Sequence, residues 1–71
     1  MVYDYSKLKG RIKEKCGTQE DFAKKMKIGR TSLSQRLNNR IEFSQDEMFA
    51  ACDVLNIEKT DIPQYFFCLK V

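Results

Sequence analysis

The stretch TQEDFAKKMKIGRTSLSQRLNNR, residues 18–40, decides the fold of this chain. Its apolar residues recur four positions apart in two short segments. This spacing predicts one helix over about residues 19–26 and a second over about residues 31–38. Thr18 is a suitable N-cap for the first helix, and Asp21 follows it at the spacing of a capping box. Two short helices joined by a tight turn form a helix-turn-helix motif.

One helix is predicted before this motif and another after it. Leu8 and Ile12 lie four residues apart and indicate an apolar face on a helix over about residues 6–15. The sequence SQDE at residues 44–47 has the form of a capping box, which predicts a helix that runs to about residue 55. We therefore expect an all-α fold.

The last part of the chain has two features. Thr60 is predicted to cap a short fifth helix, in whose first turn Pro63 is acceptable. The segment FFCLKV, residues 66–71, is rich in β-forming residues and predicts a short C-terminal strand or an extended tail. Such an apolar tail is not expected to remain in water. It pairs either with residues 2–5 of the same chain, which we favour, or across a dimer interface.

Composition narrows the classes of function. The 71 residues suffice for one small core, so we expect a single domain. The chain has no apolar run long enough to span a membrane and no secretory signal at its start, which predicts a cytoplasmic protein. It has no histidine, and Cys16, Cys52 and Cys68 form no CxxC pair, so we expect reduced thiols and no metal site. Without histidine or a glycine-rich phosphate loop, we expect neither catalysis nor a cofactor.

Charge is distributed unevenly along the chain. Residues 1–40 contain eleven Lys or Arg and four acids, a net charge of +7, whereas residues 41–71 contain two Lys and six acids, a net charge of −4. Because the basic half contains the helix-turn-helix, a polyanion would meet the second helix of the motif first. The alternative is that these charged side chains only keep the helix surfaces hydrated.

The motif resembles the DNA-binding domains of phage repressors and Cro proteins, the lambda-repressor-like or XRE family. The matching residues are Gln19, Phe22, Ala23, Met26, Ile28, Arg30, Leu33 and Asn38. The whole chain also resembles small phage-encoded Cro-like proteins, which implies a lambda-repressor-like fold of four or five helices. Two positions differ from the family pattern. Lys27 replaces a glycine that usually has a positive φ, and Arg36 replaces a buried aliphatic residue.

The resemblance implies a set of DNA-contacting residues. The base-reading positions are Arg30, Thr31, Ser34 and Gln35. Their chemistry suits this role, because arginine pairs with guanine and glutamine with adenine through bidentate hydrogen bonds. The residues expected to contact or attract phosphates are Thr18, Gln19, Lys24, Lys27, Arg36, Asn38, Asn39 and Arg40. The alternative for each is an ordinary solvated side chain.

The function implied by the resemblance is that of a sequence-specific transcriptional regulator. Such a protein, encoded by a phage or prophage, would bind operator DNA as a homodimer in the cytoplasm of the bacterial host. A second hypothesis is a phage antirepressor or modulator, which binds the DNA-binding domain of another repressor instead of operator DNA. The aromatic tail and the acidic C-terminal half favour this hypothesis. A third is a purely structural helical bundle.

Overall fold

Five α-helices follow one another in the computed structural model, which describes residues 2–70. They are α1 (Ser6–Cys16), α2 (Gln19–Met26), α3 (Arg30–Leu37), α4 (Gln45–Leu55) and α5 (Ile62–Phe66), and a 3₁₀ turn at Lys59–Asp61 precedes α5. The predicted all-α fold is confirmed. Helices α1, α2 and α4 pack against one another, α3 packs on α2, and α5 packs on α1 and α4. None of the helices within residues 2–70 has the length and apolar character that crossing a membrane requires.

The core is formed by the apolar faces that the residue spacing predicted. The most deeply buried large side chains are Leu8, Ile12, Phe22, Leu33, Cys52, Leu55 and Phe66. Removing one such aliphatic or aromatic side chain from water contributes about 1.5–3 kcal/mol to folding. Helices α2 and α3 have only eight residues each, so this tertiary packing, and not intrinsic helix propensity, must hold them in place.

Two predicted N-caps are present. The Thr18 hydroxyl accepts the backbone N–H of Asp21 at 3.1 Å and begins α2. At the start of α4, the Ser44 hydroxyl accepts the N–H of Glu47 at 3.1 Å, and the Glu47 carboxylate accepts the N–H of Ser44 at 2.8 Å. This reciprocal pair is a complete capping box, which satisfies two backbone donors that the helix itself cannot.

Two other predicted helix starts need correction. Helix α3 begins at Arg30, one residue earlier than expected, because the extended backbone of Gly29 already occupies the N-cap position. The predicted cap at Thr60 is wrong. Thr60 lies inside the 3₁₀ turn, and Asp61 stands at the N-cap position of α5. The turn therefore delays the start of this helix by one residue.

Left-handed backbone ends several of the helices. Lys27 follows α2 with a φ of 61°, the conformation expected at a position that is usually glycine. A side chain costs of order 1 kcal/mol in this region of φ/ψ space. Asn39 and Asn56, with φ of 63° and 55°, end α3 and α4 in the same way. Asparagine tolerates this conformation better than most residues, as predicted for Asn39.

The two ends of the chain pair with each other. Tyr3 and Leu69 form an antiparallel β-bridge, flanked by hydrogen bonds from Asp4 N to Cys68 O at 2.7 Å and from Lys70 N to Val2 O at 3.0 Å. The favoured pairing within the chain is thus observed, although it is a bridge and not a full strand. Residue 71 of the predicted tail lies outside the described residues.

Candidate functional site

Helices α2 and α3 pack as the predicted helix-turn-helix. Phe22, Ala23 and Met26 of α2 and Leu33 and Leu37 of α3 are all buried, so both apolar faces point into the core. The turn between them is held by backbone hydrogen bonds from residues 27 and 28 to the last turn of α2. The outer side of α3 remains open to solvent.

The four predicted base-reading residues lie together on α3. Arg30, Thr31 and Ser34 are exposed, and Gln35 is partly exposed. The Gln35 carbonyl also accepts backbone N–H groups from Arg40 at 2.9 Å and Ile41 at 3.3 Å, which turns the chain away after the helix. The structure therefore brings these side chains together on one element, as the motif predicted. Their role in reading bases stays a prediction.

Three of the predicted phosphate-contacting residues make contacts within the protein. The Arg36 guanidinium donates from Nε to the Glu47 carboxylate at 2.9 Å and from Nη1 to the Ser32 carbonyl at 2.8 Å. Its side chain is only 17% exposed, so Arg36 turns towards α4 instead of outwards. The Asn39 amide binds the backbone of Tyr3 through both of its polar atoms. Asn38 donates back to the Ser34 carbonyl at 2.8 Å.

The other five residues of the predicted phosphate set are exposed. They are Thr18, Gln19, Lys24, Lys27 and Arg40. The Thr18 hydroxyl caps α2, and the Lys24 ammonium lies 4.0 Å from the Glu20 carboxylate at the exposed surface. An exposed pair at this distance contributes little. These residues are spread over the start and body of α2 and the loops on either side of α3, and three of them, Lys24, Lys27 and Arg40, are basic.

The Arg36–Glu47 pair connects the helix-turn-helix to α4. Burial alone would raise the pKa of Glu47, but hydrogen bonds from Arg36 and from the backbone N–H of Ser44 outweigh it, so the pKa falls below its ordinary value. The carboxylate is charged at neutral pH and binds both partners through one oxygen. This contact explains how the chain accommodates an arginine at a position where an aliphatic residue was expected.

Within residues 2–70, five large apolar side chains are exposed. They are Val2, Ile41, Phe49, Phe67 and Leu69. Phe67 and Leu69 belong to the C-terminal tail, which was not expected to remain in water. Phe49 lies beside the buried residues of α4. In the loop after α3, Ile41 and Phe43 alternate with polar residues, and this spacing predicts that both anchor in the core. Phe43 is buried, but Ile41 is 42% exposed, so that prediction is wrong for Ile41.

Sequence reasoning missed the outward face of α4. Asp46, Phe49 and Asp53 are exposed and occupy helix offsets 0, 3 and 7, which places them on one side of the helix. The helix contains three acids and no lysine or arginine, whereas α1 contains five basic residues. The spacing of Asp46, Phe49 and Asp53 already indicated this acidic face. The net charge was summed over half of the chain, and that sum concealed the excess of acids on α4.

Two comparisons with known proteins find matches. Residues 1–68 match the family described as "Protein of unknown function (DUF739)". The fold is similar to the solution structure of the modulator of repression (MOR) of the temperate bacteriophage TP901-1 from Lactococcus lactis. The two chains are 46% identical, with a TM-score of 0.85 over 100% of this chain and 96% of that one. No curated protein matches this sequence.

These matches correct the expected family and function. Assignment to the lambda-repressor-like, XRE or Cro-like family was wrong, and so was the main reading as an operator-binding repressor. The physical reason lies in the residues behind the resemblance. Phe22, Ala23, Met26 and Leu33 are buried where α2 and α3 meet. Any helix-turn-helix needs apolar residues at these positions. Their presence therefore indicates how the two helices pack and does not identify the family. By the match over residues 1–68, this chain belongs to the DUF739 family.

Proposed function

We propose that this protein is a phage modulator of repression, which binds the DNA-binding domain of a partner repressor instead of operator DNA. The observation that carries the proposal is the 46% identity to the modulator of repression of bacteriophage TP901-1 over the whole chain. At that identity, with a TM-score of 0.85, the helices of the two proteins have the same arrangement over the whole chain.

Two surface features of this chain support a protein partner. The exposed aromatic side chain of Phe49 offers contact area of the kind that protein interfaces bury. Residues 41–71 have a net charge of −4. A repressor's DNA-binding domain carries lysine and arginine on the side that meets phosphates, so this acidic half is complementary to it.

The proposed mechanism is competition for one surface of the repressor. A protein bound to the DNA-facing side of the repressor excludes the operator by occupying the same space. The apparent affinity of the repressor for its operator then falls by the factor 1 + [modulator]/Kd, about a hundredfold when the modulator is present at 100 times its Kd. This mechanism requires no catalysis, metal or cofactor. It also removes the need for the homodimer that was predicted for a palindromic operator. The proposed place of action is the cytoplasm of the bacterial host.

A displacement assay tests this function. A candidate partner repressor is bound to its fluorescently labelled operator, and the modulator is titrated in while anisotropy is measured. We expect the repressor to leave the operator as the modulator is added. The double variant Arg30→Ala/Gln35→Ala should release the repressor as well as the unchanged protein does, because reading of bases is not involved. Operator binding by the repressor that stays unchanged at saturating modulator would reject the proposal.

A further inference from the structure

The outward face of α4 is an apolar surface with acids on both sides. Phe49, 39% exposed, lies one helical turn from Asp46 and one turn from Asp53. Ala50, next to Phe49, is small and partly exposed, although it also packs against the core. A small residue beside an exposed aromatic ring lets the backbone of a partner helix approach closely. The face therefore combines contact area with negative charge.

The electrostatic setting distinguishes this face from the other exposed apolar region. That other region consists of Val2, Phe67 and Leu69 around the terminal bridge, and it lies next to one acid and one base, Asp4 and Lys70, which pair with Cys68 and Val2. Around Phe49, both flanking side chains on the helix are carboxylates. Lys59 also contacts this region, with its ammonium 5.3 Å from the centroid of the Phe49 ring. A basic partner is attracted to the α4 face and gains less at the terminal one.

We propose that the face formed by Asp46, Phe49, Ala50 and Asp53 is the surface on which the basic, phosphate-binding side of a repressor's DNA-binding domain docks. This inference rests on the proposed function and identifies the surface that performs it. Phe49 would be the central anchor, because its exposed aromatic ring supplies the largest apolar contact on this face that a partner can remove from water. The two aspartates, about 10 Å apart along the helix axis, would meet side chains that otherwise bind phosphates.

The structure supplies a matched control for the two charges. In the test variant, Asp46→Asn/Asp53→Asn, two exposed acids of α4 become neutral. In the control, Glu20→Gln/Asp21→Asn, two exposed acids at the start of α2 become neutral. Both variants change the net charge by the same amount, and both remove at least one acid from the first turn of a helix. A difference in Kd between the two variants therefore depends on where the acids lie and not on the overall charge.

Phe49 has a matched control of its own. Phe49→Ala is compared with Phe67→Ala, which removes the same type of side chain from the other exposed apolar region, where Phe67 is 47% exposed. Circular dichroism and urea unfolding of each variant establish that it folds before binding is measured. Because both rings are well exposed, we expect all four variants to remain folded.

The measurement is the Kd for the full-length partner repressor identified in the displacement assay, determined by calorimetry at about 50 mM and 300 mM salt. We expect Phe49→Ala to weaken binding at least about tenfold at both salt concentrations, since buried aromatic anchors dominate interfaces. The Asp46/Asp53 variant should weaken it about tenfold at low salt and much less at high salt, because salt screens exposed charges. The two controls should change the Kd less than about threefold.

The outcomes separate this inference from the function on which it rests. If the unchanged protein does not bind the repressor, both the proposed function and this docking surface are wrong. If the unchanged protein binds and the α4 variants bind equally well, only the docking surface is wrong. Weakening confined to Phe67→Ala would move the interface to the terminal region, and weakening confined to the Glu20/Asp21 variant would move it to the helix-turn-helix. Both results would overturn the inference.

Discussion

The side-chain amide of Asn39 pairs with the backbone of Tyr3 as a neighbouring strand would. Asn39 accepts the Tyr3 N–H at 2.8 Å and donates to the Tyr3 carbonyl at 3.0 Å. Tyr3 also forms the bridge to Leu69, so its segment is held on both sides. Asn39 thereby links the end of the helix-turn-helix to both ends of the chain.

We predict that Asn39→Gly lowers the free energy of unfolding by about 1–3 kcal/mol, because two partly buried hydrogen bonds are lost. Asn56→Gly is the control, since Asn56 has the same left-handed backbone at the end of α4. Glycine fits that backbone at both sites, so the control should change the free energy by no more than about 0.5 kcal/mol. Urea unfolding of both variants measures the difference. Equal losses would show that the amide does not stabilise the terminal segment.

Adjacent phenylalanines are predicted to differ sharply in their contribution to stability. Phe66 is 1% exposed and packs edge-to-face on Phe43 with ring centroids 5.1 Å apart, whereas its neighbour Phe67 is 47% exposed. Phe66→Ala should lower the free energy of unfolding by about 3–5 kcal/mol, because it leaves a cavity. Phe67→Ala should lower it by less than about 1 kcal/mol. Thermal and urea unfolding of the two variants test this, and similar losses would contradict the orientation of α5.

Acid should destabilise the protein partly through Glu47. The pKa of Glu47 is lower in the folded protein than its ordinary value of 4.5. Protonation therefore favours unfolding. The stabilisation is present at pH values above about 4.5 and is lost as the pH falls through the folded pKa. Glu47→Gln should be less stable than the unchanged protein at pH 7, by about 1–3 kcal/mol, because charged hydrogen bonds to Arg36 and Ser44 are weakened.

Urea unfolding at pH 7 and pH 3 distinguishes Glu47 from the other acids. The Glu47→Gln variant should lose less stability between these pH values than the unchanged protein loses. Asp4 contributes to the remaining loss in both proteins, because hydrogen bonds from Ser6 lower its pKa. Identical losses in the two proteins would mean that the contact between Arg36 and Glu47 does not affect acid stability.

Lys59 should oppose binding of a basic repressor domain. Its ammonium lies 5.3 Å from the centre of the Phe49 ring, within the acidic region of α4. Lys59→Ala removes a like charge from the proposed interface and should tighten binding about two- to threefold at low salt, with a smaller gain at high salt. Lys15→Ala, which removes an exposed lysine from the basic helix α1, serves as the control and should have little effect. Weaker binding by Lys59→Ala would contradict an interface governed by charge.

The helices could be predicted because their signals are local and repeated. Leu8 and Ile12, or Leu33 and Leu37, reveal a helix by spacing alone, and all four are buried. Ser44 and Glu47 define a helix start through contacts between near neighbours. The start of α5 was misplaced because a 3₁₀ turn at Lys59–Asp61 runs directly into the α-helix, which begins only at Ile62. Ile41 was misplaced because alternation over a few residues of a loop does not define a buried face.

The site was harder to predict, because it depends on contacts that sequence spacing does not encode. Nothing in the motif indicates that Arg36 turns towards Glu47, eleven residues away on another helix. The residues expected to identify a repressor, such as Phe22 and Leu33, are those on which every helix-turn-helix depends for its core. The secondary hypothesis, a modulator that binds another repressor, came from the exposed tail and the acidic half. Those features concern the surface, which carries the information about partners.

The bridge between Tyr3 and Leu69 makes the polypeptide almost a closed ring. Val2 and Lys70 are joined by a hydrogen bond of 3.0 Å, so a short peptide linker between these two residues would leave every helix in place. Cyclisation of a chain of this length lowers the entropy of the unfolded state. In the chain-entropy description this raises the free energy of that state by about 4 kcal/mol. The closed chain could then be opened between α3 and α4. The result would be a circular permutant, in which α4 and α5 precede α1, α2 and α3 in the sequence. In that protein the linker would form the turn of a hairpin that contains the Tyr3–Leu69 bridge, and Asn39 would lie next to the new ends.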